Sequence, residues 1–349
     1  MRRYKVAVLG ATGLVGQRFI QLLADHPYFE LGDLTASERS AGKSYVEVGK
    51  WYLDGPMPDK ARNVEVKATD PKNVDADIVF SALPSAIAKK AESSFAEAGF
   101  VVASNASAYR MDEDVPLLIP EVNPDHLDIL EVQRKNRGWD GCIITNPNCS
   151  TIVAFLSLKP IYDEFGLKNL FISTMQGVSG AGYDGIVSMA MIDNLIPFIK
   201  DEEEKVELEG MKIFGEFNGK AVKDADFTVS ASCNRVPVLD GHTESIFVET
   251  EKDCNLDAVR EAFANFQAVP QKLKLPTAPK NPIIVSDEAD RPQPRLDRMR
   301  QGGMAVTVGG IRDDPILTFK YTVMGHNTIR GAAGASVLNA ELLLETKGI

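Results

Sequence analysis

The sequence predicts an α/β fold: an N-terminal Rossmann-like doubly wound parallel sheet, followed by a second α+β domain with a mixed sheet. Three observations predict it. Short β-branched runs alternate with helical periodicity over the first 150 residues. A glycine-rich loop closes the first run and opens the first helical stretch. Beyond about residue 150 the apolar runs lengthen and alternate with polar residues.

Lys5–Leu9 reads as a buried strand and Leu14–Asp25 as a helix, its apolar residues recurring at helical spacing. Glu30–Ala36 is a second strand, and Ala76–Leu83 and Phe100–Ser104 have the β-branched character of parallel strands. Ser85–Ala98, between them, reads as a helix capped by Ser85. In the second half, strands are expected at Asn169–Met175, Phe227–Val236, Ser245–Thr250, Met304–Ile311 and Ile316–Val323, with helices near Gly185–Leu195 and Leu256–Phe266. Pro270–Pro294 reads as a long connection or an interface arm. Thr328–Leu344 reads as a closing helix in which Gly331 and Gly334 permit close packing. The expected boundaries are 1–150 for a cofactor-binding domain, completed by a returning helix at 327–349, and 151–326 for a catalytic and dimerisation domain.

Composition excludes several classes. A net charge of −11 leaves no general basic face for nucleic acid. The densest charge run, Asp201-Glu202-Glu203-Glu204, is acidic and by itself reads as a solvated helix start. The four cysteines, Cys142, Cys149, Cys233 and Cys254, form neither a C-x-x-C pair nor a disulfide scaffold, so a reducing, cytoplasmic setting is expected. Met1-Arg2-Arg3 precedes an apolar run that stops at Leu9, too short for a signal peptide, and no run approaches the ~18 apolar residues of a membrane span.

Gly10-Ala11-Thr12-Gly13-Leu14-Val15-Gly16 stands between the first strand and the first helix. Glycines there let the backbone approach a pyrophosphate, which sits on the helix N-terminus. The spacing is G-x-x-G-x-x-G, a variant of the dinucleotide fingerprint. Past the second strand, Ser37, Arg39 and Ser40 are donors suited to a 2′-phosphate, which favours NADP. Glu38 is discordant, because a carboxylate there suits a ribose 2′-hydroxyl.

Cys149 follows Thr145-Asn146-Pro147-Asn148 at the end of a strand and falls at or just before the N-terminus of a helix running from about Ser150 to Leu158. The helix N-terminus is expected to lower its thiol pKa and to offer N–H groups to an oxyanion. A thiolate attacking a carbonyl gives a thioester, whose carbonyl exchanges hydride with a nicotinamide. The other three cysteines fit the commoner reading of buried core residues. Of the histidines, His26 and His126 lie in polar turns and read as surface residues. His242, after Asp240-Gly241 between two strands, is placed to enter a cleft as acid/base.

Taken together, these residues resemble the aspartate-β-semialdehyde dehydrogenases, of the branch found in archaea and fungi, over nearly the whole chain. Asn146-Pro147-Asn148-Cys149-Ser150-Thr151 resembles the family's nucleophile motif, Gln176-Gly177-Val178-Ser179-Gly180-Ala181-Gly182 its glutamine-glycine loop, and Arg235 through His242 its R-(x)6-H element. The resemblance implies roles residue by residue. Gln176 orients substrate at the thioester; Ser179, Gly180, Gly182 and Asn327 lie at the nicotinamide; Ser81 and Leu83 line the cofactor groove. Arg235 holds the substrate carboxylate, Glu202 its ammonium, and Arg110 with Asn148 and Lys205 its phosphate; the register within Glu202-Glu203-Glu204 stays open. A substrate carrying carboxylate, ammonium and phosphate needs two cationic anchors and an acid, which this set supplies. The activity implied is NADPH-dependent reduction of L-aspartyl-4-phosphate to L-aspartate-4-semialdehyde and phosphate, in lysine, threonine, methionine and isoleucine biosynthesis, by a homodimer or homotetramer. Two rivals remain. A CoA-thioester reductase resembling malonyl-CoA reductase would keep Cys149 and the glycine loop without needing a phosphate pocket. A non-catalytic NADP-binding sensor would need only the loop.

Overall fold

The computed structural model describes residues 3–348, so Met1 and Arg2 of the basic N-terminal cluster, and Ile349, lie outside the described residues. Six strands, β1 (Tyr4–Leu9), β2 (Phe29–Ala36), β3 (Val66–Ala68), β4 (Ile78–Ser81), β5 (Val101–Ser104) and β6 (Cys142–Thr145), form one parallel sheet in the order β3-β2-β1-β4-β5-β6. Their side chains divide by parity. Val6, Val8, Ile78, Phe80, Ile144 and their neighbours enter one core, and Ala7, Leu9, Val79, Val102 and Ile143 another. A strand buried on both faces is what near-continuous β-branched runs encode, and this is the doubly wound sheet expected.

The second half contains β7 (Asn169–Gln176), β8 (Ile196–Pro197), a short hairpin of β9 (Glu216–Phe217) and β10 (Val222–Lys223), then β11 (Thr228–Arg235), β12 (His242–Glu249), β13 (Ile283–Ser286), β14 (Val306–Asp313) and β15 (Phe319–Gly325). All but the hairpin form a mixed sheet in the order β13-β14-β15-β12-β7-β11-β8. The helix Cys149–Phe165 lies on its inner face between the helices Glu202–Ile213 and Leu256–Asn265. Residues of β7 alternate between this core and the outer face, where Phe171 is exposed.

The last segment begins with a π-helical turn, Ile329–Ala333, and continues as the helix Gly334–Thr346 against β4, β5 and the helix Leu14–Leu23. Arg330 in that turn forms a fully buried ion pair with Glu121. Among the described residues, no helix is long and apolar enough to cross a membrane.

Several expectations are corrected. Pro84, not Ser85, precedes the helix Ser85–Glu97, and the Ser85 hydroxyl bonds Ser107 instead. Only Ser188–Met191 of the expected helix at Gly185–Leu195 is helical, because Val187, Met189, Ile192 and Leu195 find no core in this chain to bury an apolar face. Pro270–Pro294 is more than a connection, since it supplies the edge strand β13. His26 and His126 are buried: His26 pairs with Glu341 of the last helix, and His126 bonds Asn123 and the Gly215 carbonyl. Polar neighbours in sequence made both look exposed, but polar groups can be buried where partners satisfy them.

Candidate active site

The site forms where the carboxyl ends of the parallel strands meet the mixed sheet. Asn148 caps the helix Cys149–Phe165, its Oδ1 accepting from the backbone N–H of Ser150 at 2.9 Å and of Thr151 at 3.4 Å. Cys149 is therefore the first helical residue, and its Sγ lies 3.1 Å from His242 Nε2. Gly177 donates its backbone N–H to His242 Nδ1 at 3.1 Å. A neutral His242 thus carries its proton on Nε2, directed at the sulfur.

Register explains the meeting. Gln176 at the end of β7 pairs with Arg235 on β11 and with His242 on β12. One row across three strands thereby presents glutamine, arginine and histidine together. Arg235 is held by its Nη1 donating to the Gly177 carbonyl at 2.8 Å. The row opens on a cavity of about 240 Å³, also lined by Cys149, Arg110, Asn148, Glu202 and Lys205.

Glu202 organises that cavity. Its carboxylate accepts from Asn148 Nδ2 at 2.8 and 3.0 Å, from Lys205 Nζ at 3.0 Å and from Gln176 Nε2 at 3.3 Å. Burial opposes its charge, but Lys205 and Asn148 hold it below the usual carboxylate range. Glu203 instead accepts from the Cys233 backbone N–H, and Glu204 is exposed. Arg110, from the loop after β5, donates to Glu209 at 2.9 Å and to the Asn105 carbonyl at 2.7 Å.

The free thiol is not activated as the sequence suggested. Burial pushes Cys149 up to about 12; the Glu202 carboxylate adds to this, against Arg235 and Arg110. Burial, with Arg235, drives His242 down to about 3. The pair is neutral through the physiological range, because removing water from sulfur outweighs the helix end. Two of the N–H groups expected to face an oxyanion are already taken by Asn148 Oδ1.

The glycine loop fits a dinucleotide. Gly10 has φ +77°, and a Cβ there would sit 2.8 Å from the Ala82 carbonyl oxygen. Gly13 is exposed and gives the helix Leu14–Leu23 no side-chain cap, so its first turn is open to an anion. Thr12 and Leu14 are half-buried beside it, and Val15 reaches the Cys149 cavity. Ser37 and Arg39 are exposed and Ser40 half-buried past β2, with no ion-pair partner for Arg39 or Glu38 among the described residues. Ser81 is corrected: it is fully buried, its hydroxyl donating to Glu92, and so lies beneath the groove, whereas Leu83 is half-buried at its edge.

Ser179 and Gly180 border the Cys149 cavity; Leu14 and Gly182 border a second cavity of about 200 Å³, beside stacked Tyr52 and Tyr183. Asn327 donates to Ser179 Oγ and accepts from the Gly241 N–H, both at 2.8 Å, tying the Gly177–Gly182 loop to the residue before His242. Sequence reasoning missed Glu209 and Lys212. The available signal was charge at 202, 205, 209 and 212, which falls on one face of a helix.

Two family descriptions match the chain: "Semialdehyde dehydrogenase, NAD binding domain" over residues 5–130 and "Semialdehyde dehydrogenase, dimerisation domain" over residues 158–330. The aspartate-semialdehyde dehydrogenase of Archaeoglobus fulgidus is 59% identical over 345 residues, 99% of each chain. A malonyl CoA reductase (NADP) of Metallosphaera sedula is 42% identical over 349 residues, 99% of this chain and 98% of that one. Among solved structures, the aspartate semialdehyde dehydrogenase of Candida albicans with NADP superposes with a TM-score of 0.92 at 42% identity, covering 100% of both chains.

Proposed function

The chain belongs to the aspartate-semialdehyde dehydrogenase family, and on that premise we propose that it reduces L-aspartyl-4-phosphate to L-aspartate-4-semialdehyde and phosphate with NADPH. That reaction is a step in the biosynthesis of lysine, threonine, methionine and isoleucine. The observation that carries the reading is the Cys149–His242 contact at 3.1 Å beside the Gln176–Arg235 pair. The substrate's two anionic ends and its ammonium find Arg235, Arg110 with Lys205, and Glu202 around one sulfur.

Arg235 holds the substrate carboxylate, and Glu202 accepts from its ammonium. Arg110, Lys205 and Asn148 receive the phosphate, and Gln176 orients the acyl carbonyl. As Cys149 attacks, the C–S bond forms, the acyl C–O bond breaks and phosphate leaves, carrying the thiol proton with it. NADPH, held by the Gly10–Gly16 loop, Ser37, Arg39 and Ser40, with Leu83, Ser179, Gly180, Gly182 and Asn327 along its course, supplies the hydride that reduces the thioester carbonyl. The Nε2–H of His242 hydrogen-bonds the oxyanion that results; as the carbonyl re-forms and the C–S bond breaks, the leaving sulfur takes up a proton from solvent through His242, and the semialdehyde is released.

The organisation that accompanies this reading is residues 1–150 with 327–349 for NADP, and 151–326 for catalysis and dimerisation. The assembly is a cytoplasmic homodimer or homotetramer.

The deciding assay measures NADPH formation from aspartate semialdehyde, NADP and inorganic phosphate. Phosphate-dependent formation, abolished in Cys149→Ala, is expected. Its absence, with NADPH oxidation by malonyl-CoA instead, would transfer the chain to the CoA-thioester reductases.

A further inference from the structure

The helix Glu202–Ile213 presents Glu202, Lys205, Glu209 and Lys212 on one face, and only the first two reach the cavity. The other two are almost completely buried, at 2% and 4% exposure. We propose that Glu209 and Lys212 are positioning residues for the phosphate end of the site: Glu209 couples the Arg110 guanidinium to the nucleophile's loop, and Lys212 fixes the loop that carries Arg110. This rests on the reading that Arg110 receives phosphate.

The two oxygens of Glu209 serve different partners. Oε1 accepts from Arg110 Nη1 at 2.9 Å, and Oε2 accepts from the Asn148 backbone N–H at 2.6 Å. One carboxylate therefore spans the phosphate anchor and the residue before Cys149. Lys212 spends all three of its protons on the loop after β5, donating to the carbonyls of Arg110 at 2.7 Å, Asp112 at 2.8 Å and Val115 at 2.9 Å. Arg110 gains a fixed fork, its second terminal nitrogen held by the Asn105 carbonyl at 2.7 Å. Its Nε remains buried without a partner among the described residues.

The chemistry needs this coupling. An acyl phosphate separates its carbonyl carbon from its phosphorus by a single bridging oxygen. Sulfur and guanidinium must therefore keep a fixed separation for attack and departure of phosphate to coincide, and small misplacements are costly. Glu209 also neutralises Arg110, so phosphate is recognised by oriented N–H groups rather than by an unpaired cation.

The test is steady-state kinetics on the full chain in the oxidative direction, varying inorganic phosphate, semialdehyde and NADP separately. In Glu209→Gln the KM for phosphate should rise about tenfold or more, while the other two KM values stay within about twofold. Glu209→Asp, which restores the charge, should recover part of the loss. Lys212→Met should raise the phosphate KM by about threefold or more through the loop alone. Protection of the wild-type protein against thermal unfolding by inorganic phosphate, against chloride at equal ionic strength, should be lost in Glu209→Gln. Unchanged phosphate KM in Glu209→Gln and Lys212→Met, or equal rises in all three KM values with phosphate protection retained, would overturn the proposal. If Glu209→Gln fails to fold, Glu209→Asp and Lys212→Met decide by the same criteria. A wild-type protein without phosphate-dependent turnover overturns the functional reading instead, and one that phosphate also fails to protect overturns both.

Discussion

Cys149 and His242 face each other as a neutral pair, which sets how the free enzyme should react. With the thiol pushed up to about 12, alkylation at Cys149 by iodoacetamide should accelerate about tenfold per pH unit between roughly pH 7 and 9, without a plateau. Peptide mass analysis separates Cys149 from the other cysteines, and a plateau near neutrality would show a thiolate already formed. Two residues beyond His242, Glu244 is fully buried with neither oxygen bonded among the described residues. Burial raises its pKa well above the usual carboxylate range. The stability it contributes is complete below its unfolded value and is lost as pH rises toward the folded one, at about 1.4 kcal/mol per pH unit. Glu244→Gln should therefore raise Tm at pH 7.5 and gain little near pH 4.5; an equal gain at both would contradict a titrating Glu244. Motif and chain order announced Cys149 and His242 as candidates, but not the burial that raises the thiol.

At the scale of elements, register assembles the site. Gln176, Arg235 and His242 are separated along the chain by 59 and 7 residues, yet lie side by side because β11 runs parallel and β12 antiparallel to β7. A one-residue slip of either strand would turn its catalytic side chain to the opposite face. The alternating pattern marked these strands in the sequence; their partners were not marked. The π-helical turn at Ile329–Ala333 matters equally. A Cβ on Gly331 would stand 2.8 Å from Cys149 Cβ, so Gly331→Ala must push the turn or the nucleophile aside. A fall in kcat of about ten- to a hundredfold is expected, with NADP affinity nearly unchanged. Fluorescence titration with NADPH beside the rate assay checks this, and loss of cofactor binding in step with kcat would indicate general disruption.

On the scale of the whole molecule, the apolar surface has yet to find its partner. Val187, Met189, Ile192 and Phe198 are each at least 67% exposed, and Phe171 is 51% exposed on the outer face of the mixed sheet. Large apolar side chains left exposed in number point to an association surface, and a closed homodimer would bury them on both copies. Light scattering at micromolar concentration should give at least the mass of two chains. Met189→Asp with Phe198→Asp should move it toward one chain, and a wild-type protein with the mass of one chain would refute the surface.

The sequence by itself determined the fold class and the chemical candidates, because both are written locally. The β-branched runs, the glycine loop before the first helix, and Cys149 after Asn146-Pro147-Asn148 at a helix start each depend on residues close together in the chain. Only the tertiary structure decided that the Cys149 thiol is raised, that His26 and His126 are buried, that Ser81 lies beneath the groove, and that Glu209 and Lys212 stand behind Arg110. Burial, desolvation and strand register are sums over residues far apart in sequence. They change both the charge a group carries and the partner it meets, and no local pattern records them.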